Sequence, residues 1–274
     1  MSIRILCIIP ISTTRMTDDL ARLYPSRPGL EVTFIDGRGL PGCPPCIEND
    51  VQAVESTAAV LPRAVEHLDS HDVDGVLVCC FSNHPLVYAL REVCSLPVTG
   101  IFQAALHDAV RDGASFGIVT TAHAWEEVLA ASVGDLGYGG SSAGVAATGL
   151  GVLELESLDR RVVVERILVC TRRLVDNGAT GIVLGCAGMA ALEQDIRQRL
   201  PPGTRTIDGV RSGIDMLAGL TNKHLATNTM TNTSSISETK PGCSIKSREL
   251  ASLLEKCLLI PQEKHGHTLL KKNT

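Results

Sequence analysis

The sequence predicts an α/β fold in two similar halves, each a mostly parallel sheet flanked by helices, and two observations carry that expectation. Short runs of β-branched and apolar residues alternate with longer segments of helical spacing, the pattern of strands joined by helical crossovers. The second observation is a repeat. Residues 75–80, GVLVCC, are matched by residues 181–186, GIVLGC: in each a glycine opens an apolar run and a cysteine falls five residues later. A chain of 274 residues can bury such a fold without disulfide staples.

The first strand is predicted over residues 3–9. The opening, MSIRILCIIPIS, has one arginine before a short apolar run that Pro10 interrupts, so it reads as a buried strand and not as a signal peptide. Further strands are predicted at 31–35, 75–79, 115–120, 181–185 and 204–207. The segment 50–68 has helical character, and Pro62 is expected to kink or break it, because proline lacks the amide hydrogen that the helix needs there. Residues 159–177 are predicted as a helix in which Val163, Ile167, Cys170 and Leu174 recur at threes and fours on one face.

The repeat reaches beyond the two cysteine runs. Each is followed by a helical segment, an extended run containing Pro97-Val98-Thr99-Gly100 or Thr206-Ile207-Asp208-Gly209, and another helix. The openings agree more loosely, since IRILCIIPIST at 3–13 and SFGIVTT at 115–121 both run from an apolar strand into hydroxyl residues. A duplicated unit follows: residues 1–100 with 206–219 form the first lobe, to which the last helix returns, and residues 101–205 form the second.

Beyond residue 220 the character changes. In TNKHLATNTMTNTSSISETK, residues 221–240, 12 of 20 residues are Thr, Asn or Ser, too polar to bury a core and read as disordered. Residues 220–274 hold eight Lys or Arg against four Glu, whereas the whole chain has a net charge of −5. Within this tail Leu250, Leu253, Leu254, Cys257 and Leu258 share a face, which would suit a short amphipathic helix, but the polar linker before it favours a solvated appendage.

Composition narrows the partners. There is no basic stripe, and four Phe, three Tyr and one Trp supply no stacking platform, which argues against nucleic acid. No apolar run reaches the ~18 residues of a membrane span. A small-molecule partner is expected. The ten cysteines are scattered without a secretory signature, which points to reduced thiols and a cytoplasmic setting.

The repeat pairs Cys80 with Cys186 and gives Cys79 the place of Gly185, where a small buried residue suffices. Ligands of open α/β sheets bind beyond the carboxyl ends of the strands, where both cysteines fall. A thiol just before a helix is expected to be shifted toward thiolate by the free backbone N–H groups. Two facing halves then place one sulfur on each wall of a crevice.

GCAGM at 185–189, CFSNHP at 80–85, PPCIEND at 44–50 and IPIST at 9–13 together resemble the aspartate/glutamate/hydantoin racemase superfamily, specifically its hydantoin and allantoin racemase branch. The resemblance covers residues 3–219. It implies two pseudo-symmetric α/β lobes with the active site in the cleft between them, a homo-oligomer, and catalysis by two cysteines without metal or other cofactor. Carried over, the catalytic pair is Cys80 and Cys186, one acting as base on one face of the substrate carbon and the other as acid on the opposite face. The enolate formed needs hydrogen-bond donors. Candidates for substrate binding are the backbone N–H groups of Phe81, Ser82, Ala187 and Gly188 and the hydroxyls of Ser12, Thr13, Ser82, Thr120 and Thr121. Two departures stand out. Members commonly read NPNST where this chain reads IPIST, so Ile9 and Ile11 replace two asparagines and open the site to a more apolar ligand. The turn after Cys80, FSNHP, also brings His84 near the site, as a turn residue more than as a base.

Other readings keep the same residues in view. Cys43-Pro-Pro-Cys46 is a CxxC motif, which in a cytosolic α/β protein can serve thiol redox chemistry. It lacks a second CxxC or suitably spaced histidines for zinc. A decarboxylase or isomerase of the same superfamily would use one active cysteine, and a binding protein would keep the cleft without turnover.

Overall fold

The computed structural model describes residues 2–12 and 15–231 of the chain, with side chains as far as Thr221. In chain order the elements are β1 (Ile3–Ile9), α1 (Arg15–Leu23), β2 (Leu30–Asp36), α2 (Asp50–Ser70), β3 (Gly75–Val78), α3 (Pro85–Val93), β4 (Val98–Gly100) and α4 (Ile101–Ala109). There follow β5 (Phe116–Thr120), α5 (Ala124–Asp135), β6 (Ser142–Ala147), α6 (Glu154–Ser157), α7 (Arg160–Asp176), β7 (Gly181–Leu184), α8 (Glu193–Arg197), β8 (Arg205–Asp208) and α9 (Gly209–Thr231). The strands form two four-stranded parallel sheets with the same internal order, β2-β1-β3-β4 and β6-β5-β7-β8.

Burial on both faces explains why the central strands read as unbroken apolar runs. In β1, Ile3, Ile5, Cys7 and Ile9 enter a core shared by the two sheets, while Leu6 and Ile8 enter a separate core beneath α2 and α3. In β5, Phe116 and Ile118 join the shared core and Val119 faces the core under α7. The shared core is closed by an exchange of helices: α4, which follows β4 of the first sheet, packs on β7 and β8, and α9, which follows β8, packs on β1, β3 and β4. That approach is close. A Cβ added at Gly213 of α9 would lie 2.3 Å from Leu77 Cδ1, so any larger residue there would force Leu77 to move. The Tyr24 hydroxyl, at the end of α1, donates to the buried Asp208 carboxylate, a further link between the halves.

The registers make the repeat quantitative. Ile8 pairs with Val78 as Val119 pairs with Leu184, so Cys80 and Cys186 occupy equivalent positions. The fourth strands correct the sequence alignment by one residue. Val76 pairs with Val98 and Ile182 with Thr206, which makes Gly100 the counterpart of Asp208 and not of Gly209. The alignment by glycine misled because the two helix starts are capped differently. Gly100 has no side chain to cap α4, whereas Asp208 Oδ1 accepts the Val210 amide at 3.0 Å.

Three further elements differ from the sequence expectation. Helix α2 runs unbroken through Pro62, because burial of Ala53, Ser56, Val60, Leu61, Ala64 and Val65 outweighs a proline cost of ~3 kcal/mol. Strand β6 was not predicted; its sequence, SAGVAA, has weak strand propensity, and it forms as an edge strand with a register irregularity opposite Phe116 and Gly117. The segment read as disordered from residue 221 begins as the last part of α9, as far as Thr231. The amphipathic stretch around Leu250–Leu258 lies outside the described residues. None of the described helices is long and apolar enough to cross a membrane.

Candidate active site

Two backbone hydrogen bonds set the ends of β3 and β7. The Cys79 amide donates to the Ile8 carbonyl at 2.8 Å, and the Gly185 amide donates to the Val119 carbonyl at 2.8 Å. One residue further on, the chain leaves each sheet, and Cys80 and Cys186 turn into the same cavity of about 50 Å³ between the lobes. Of the predicted binding residues, Phe81, Thr120, Thr121 and Ala187 line this cavity. Ser82 is buried beside it, its Oγ 3.6 Å from Cys80 Sγ. Gly188 is close to the other sulfur, since a Cβ there would lie 3.7 Å from Cys186 Sγ. Ser12 does not line the cavity; its amide is tied to the Pro44 carbonyl at 2.9 Å. Thr13 lies outside the described residues. Thr120 and Thr121 are both buried residues on the cavity wall.

Both thiols are less acidic than expected. Burial pushes Cys80 up to about 12, with Ser82 pulling down and Cys186 and Cys79 adding to the rise. Burial pushes Cys186 up to about 11, against hydrogen bonds from the Gly188 and Met189 amides and with the Glu156 carboxylate adding to the rise. Only Cys186 stands at a helical start, as the cap of a short turn whose Gly188 and Met189 amides reach its sulfur. After Cys80 no helix begins until Pro85, and after Cys186 there is a six-residue 3-10 turn, Ala187–Leu192. Desolvation therefore wins over the backbone amides.

Cys79 is buried between its neighbours. Its thiol contacts the Leu77 carbonyl at 3.9 Å and the Cys7 thiol, and its acidity is strongly suppressed. Its counterpart Gly185 has room for no side chain at all, since a Cβ would lie 2.5 Å from the Val119 carbonyl oxygen. His84 is a helix cap: Nδ1 accepts the Leu86 amide at 3.2 Å, and burial drives the imidazole down to about 4, so the ring is neutral. Cys43 and Cys46 are both free thiols, pushed up by burial and by the carboxylates of Asp36 and Glu48 respectively, the opposite of the low-pKa sulfur that dithiol exchange favours. Among the described residues no group of three or more His, Cys, Asp or Glu is placed to hold a metal ion.

The sequence reading missed several walls of the cavity, namely Met16, Ile47, Trp125 and Val152. Met16 and Trp125 stand in the first turns of α1 and α5, and Ile47 follows the CPPC turn. Ile47 lies within PPCIEND, one of the motifs that carried the resemblance, so a signal existed for it.

The Asp/Glu/Hydantoin racemase family model matches residues 5–217. The chain belongs to that family. It is 35% identical to an uncharacterized protein of Schizosaccharomyces pombe over 82% of this chain and 94% of that protein, and 32% identical to a hydantoin racemase of Rhizobium meliloti over 67% of this chain and 75% of the relative. Among solved structures it is similar to an allantoin racemase from Klebsiella pneumoniae, with a TM-score of 0.71 and 29% identity, covering 90% of this chain and 98% of that one. Family membership makes the protein an isomerase of the racemase type, with two four-stranded parallel sheets flanked by helices as its fold.

Proposed function

We propose that the protein racemises hydantoins or closely related amino acid derivatives by transferring a proton between Cys80 and Cys186, without metal or organic cofactor. The observation that carries this reading is the placement of two sulfurs at equivalent ends of two sheets, in one cavity. A substrate carbon held between them has a base on one face and an acid on the other. One cysteine, as thiolate, removes the proton next to the carbonyl. The electron pair passes to the carbonyl oxygen as an enolate, and the opposite thiol returns a proton to the other face. The thiols have exchanged protonation states at the end, so the enzyme is set for the opposite enantiomer. The hydroxyls of Thr120 and Thr121, both lining the cavity, are suited to the enolate oxygen. High thiol pKa values suit the task, since a thiolate formed in this site is a strong base toward a weak carbon acid. Reduced thiols fit a cytoplasmic location.

The test is to incubate purified protein with single enantiomers of 5-substituted hydantoins in deuterated water, following optical rotation and deuterium at the fifth ring carbon. Loss of rotation with deuterium incorporation is expected. Persistence of rotation with every hydantoin would remove the reading.

A further inference from the structure

The two sulfurs are held in different ways, and we propose that His84 is a positioning residue for Cys80 and not for Cys186, fixing the turn that aims the Cys80 sulfur into the cavity. Cys186 begins its own helical turn. The Met189 amide donates to the Cys186 carbonyl at 3.0 Å, and the Gly188 and Met189 amides reach the sulfur, so the backbone itself holds this residue. Cys80 is followed instead by Phe81, Ser82, Asn83 and His84 before α3 starts at Pro85. Its sulfur is met by a side chain, Ser82 Oγ at 3.6 Å, and its place therefore depends on the course of that longer turn.

His84 closes the turn. Its side chain is fully buried, its Nδ1 accepts the Leu86 amide at 3.2 Å, and its carbonyl accepts the Val87 amide at 3.1 Å, which locks the residue two places beyond Ser82 to the start of α3. A side-chain acceptor at this position satisfies an amide that every helix start leaves open, and its loss is felt first at that start. The rest of the turn is tied sideways. The Phe81 ring meets Phe102 of α4 edge-on at 5.3 Å, and Asn83 Oδ1 accepts from the Tyr88 hydroxyl at 2.6 Å and from Gln103 Nε2 of α4 at 3.0 Å. With the cap removed, Ser82 and Cys80 leave their present contact and water reaches the sulfur. The catalytic consequence rests on the two-sulfur reading above; the hold of His84 on Cys80 does not.

The experiment uses three substitutions. His84→Leu keeps the buried bulk and removes the acceptor, His84→Ala removes both, and His84→Asn keeps an acceptor for the Leu86 amide. Each is combined with Cys186→Ser, which leaves Cys80 as the working base, and with Cys80→Ser, which leaves Cys186. Deuterium exchange at the fifth ring carbon of single enantiomers of 5-benzylhydantoin is followed in both backgrounds, and iodoacetamide labelling of each sulfur is read by peptide mass spectrometry with both cysteines present. His84→Leu and His84→Ala are expected to slow exchange by Cys80 roughly tenfold, the cost of a misplaced base. They should also speed Cys80 alkylation, because water relieves the burial that suppresses its thiolate. Both rates at Cys186 should stay unmoved, and His84→Asn should recover most of each change at Cys80. General loosening of the fold would act on both sulfurs alike. Parallel changes at the two sulfurs, no change at either, an Asn variant no better than Leu, or failure of both Leu and Ala variants to fold would overturn the inference and leave the racemase reading standing. If neither single-cysteine parent exchanges deuterium, the racemase reading falls, and the labelling decides by itself whether His84 holds Cys80.

Discussion

Cys80 and Cys186 face one cavity from equivalent positions, each two residues beyond the last paired residue of its strand, Val78 or Leu184. Two bases so placed divide the labour, because each reaches the proton of one enantiomer only. Cys80→Ser is expected to exchange the proton of one hand of substrate for deuterium without inverting it, and Cys186→Ser to do so for the other hand. Cys79→Ser, at a packed position, should stay within a few-fold of the parent. Full inversion by both single variants, measured by chiral chromatography and mass, would contradict the two-base mechanism.

The raised thiol pKa values make reactivity alkaline. With Cys186 at about 11 and Cys80 at about 12, both are neutral thiols near pH 7, and the thiolate fraction of each grows about tenfold per pH unit below its pKa. Alkylation of the unliganded protein by iodoacetamide should rise accordingly, Cys186 ahead of Cys80, as read by peptide mass spectrometry. Fast, pH-independent labelling at neutral pH would mean that a thiolate already exists in the free enzyme.

Gly185→Ala tests the close approach at the end of β7. A Cβ there meets the Val119 carbonyl oxygen at 2.5 Å, which forces the strand and the Cys186 turn to shift. A destabilisation of ~1–3 kcal/mol is expected, measured by urea unfolding. An unchanged midpoint would show that the turn yields without cost.

Replacing Cys43 and Cys46 together with serine should leave racemisation within a few-fold of the parent. The Cys43 sulfur packs so closely on Gly37 that a Cβ there would lie 2.1 Å from it, which marks a packing role. A collapse of activity, reproduced in the parent by reductant, would favour redox chemistry at CPPC.

Much of the site was legible because its chemistry falls on strand ends, which apolar runs mark clearly. The five-residue spacing from Gly75 to Cys80 and from Gly181 to Cys186 survives folding as an equivalent register, since backbone pairing preserves sequence spacing along a strand. Thr120 and Thr121 were found for the same reason. Met16, Trp125 and Ile47 were not, because a residue in the first turn of a helix or in a loop takes its direction from packing and not from spacing.

By itself the sequence determined the duplicated α/β pattern, the pairing of Cys80 with Cys186 and the family. Periodicity and local motif are properties of neighbouring residues, and they need no third dimension. Only the tertiary structure decided that α4 and α9 exchange sheets, that Gly100 answers to Asp208, and that α2 continues through Pro62. It also decided the acidity of the two sulfurs. A sequence shows which amides follow a cysteine, but desolvation depends on everything packed around it, and here that burial outweighs the amides and holds both thiols protonated.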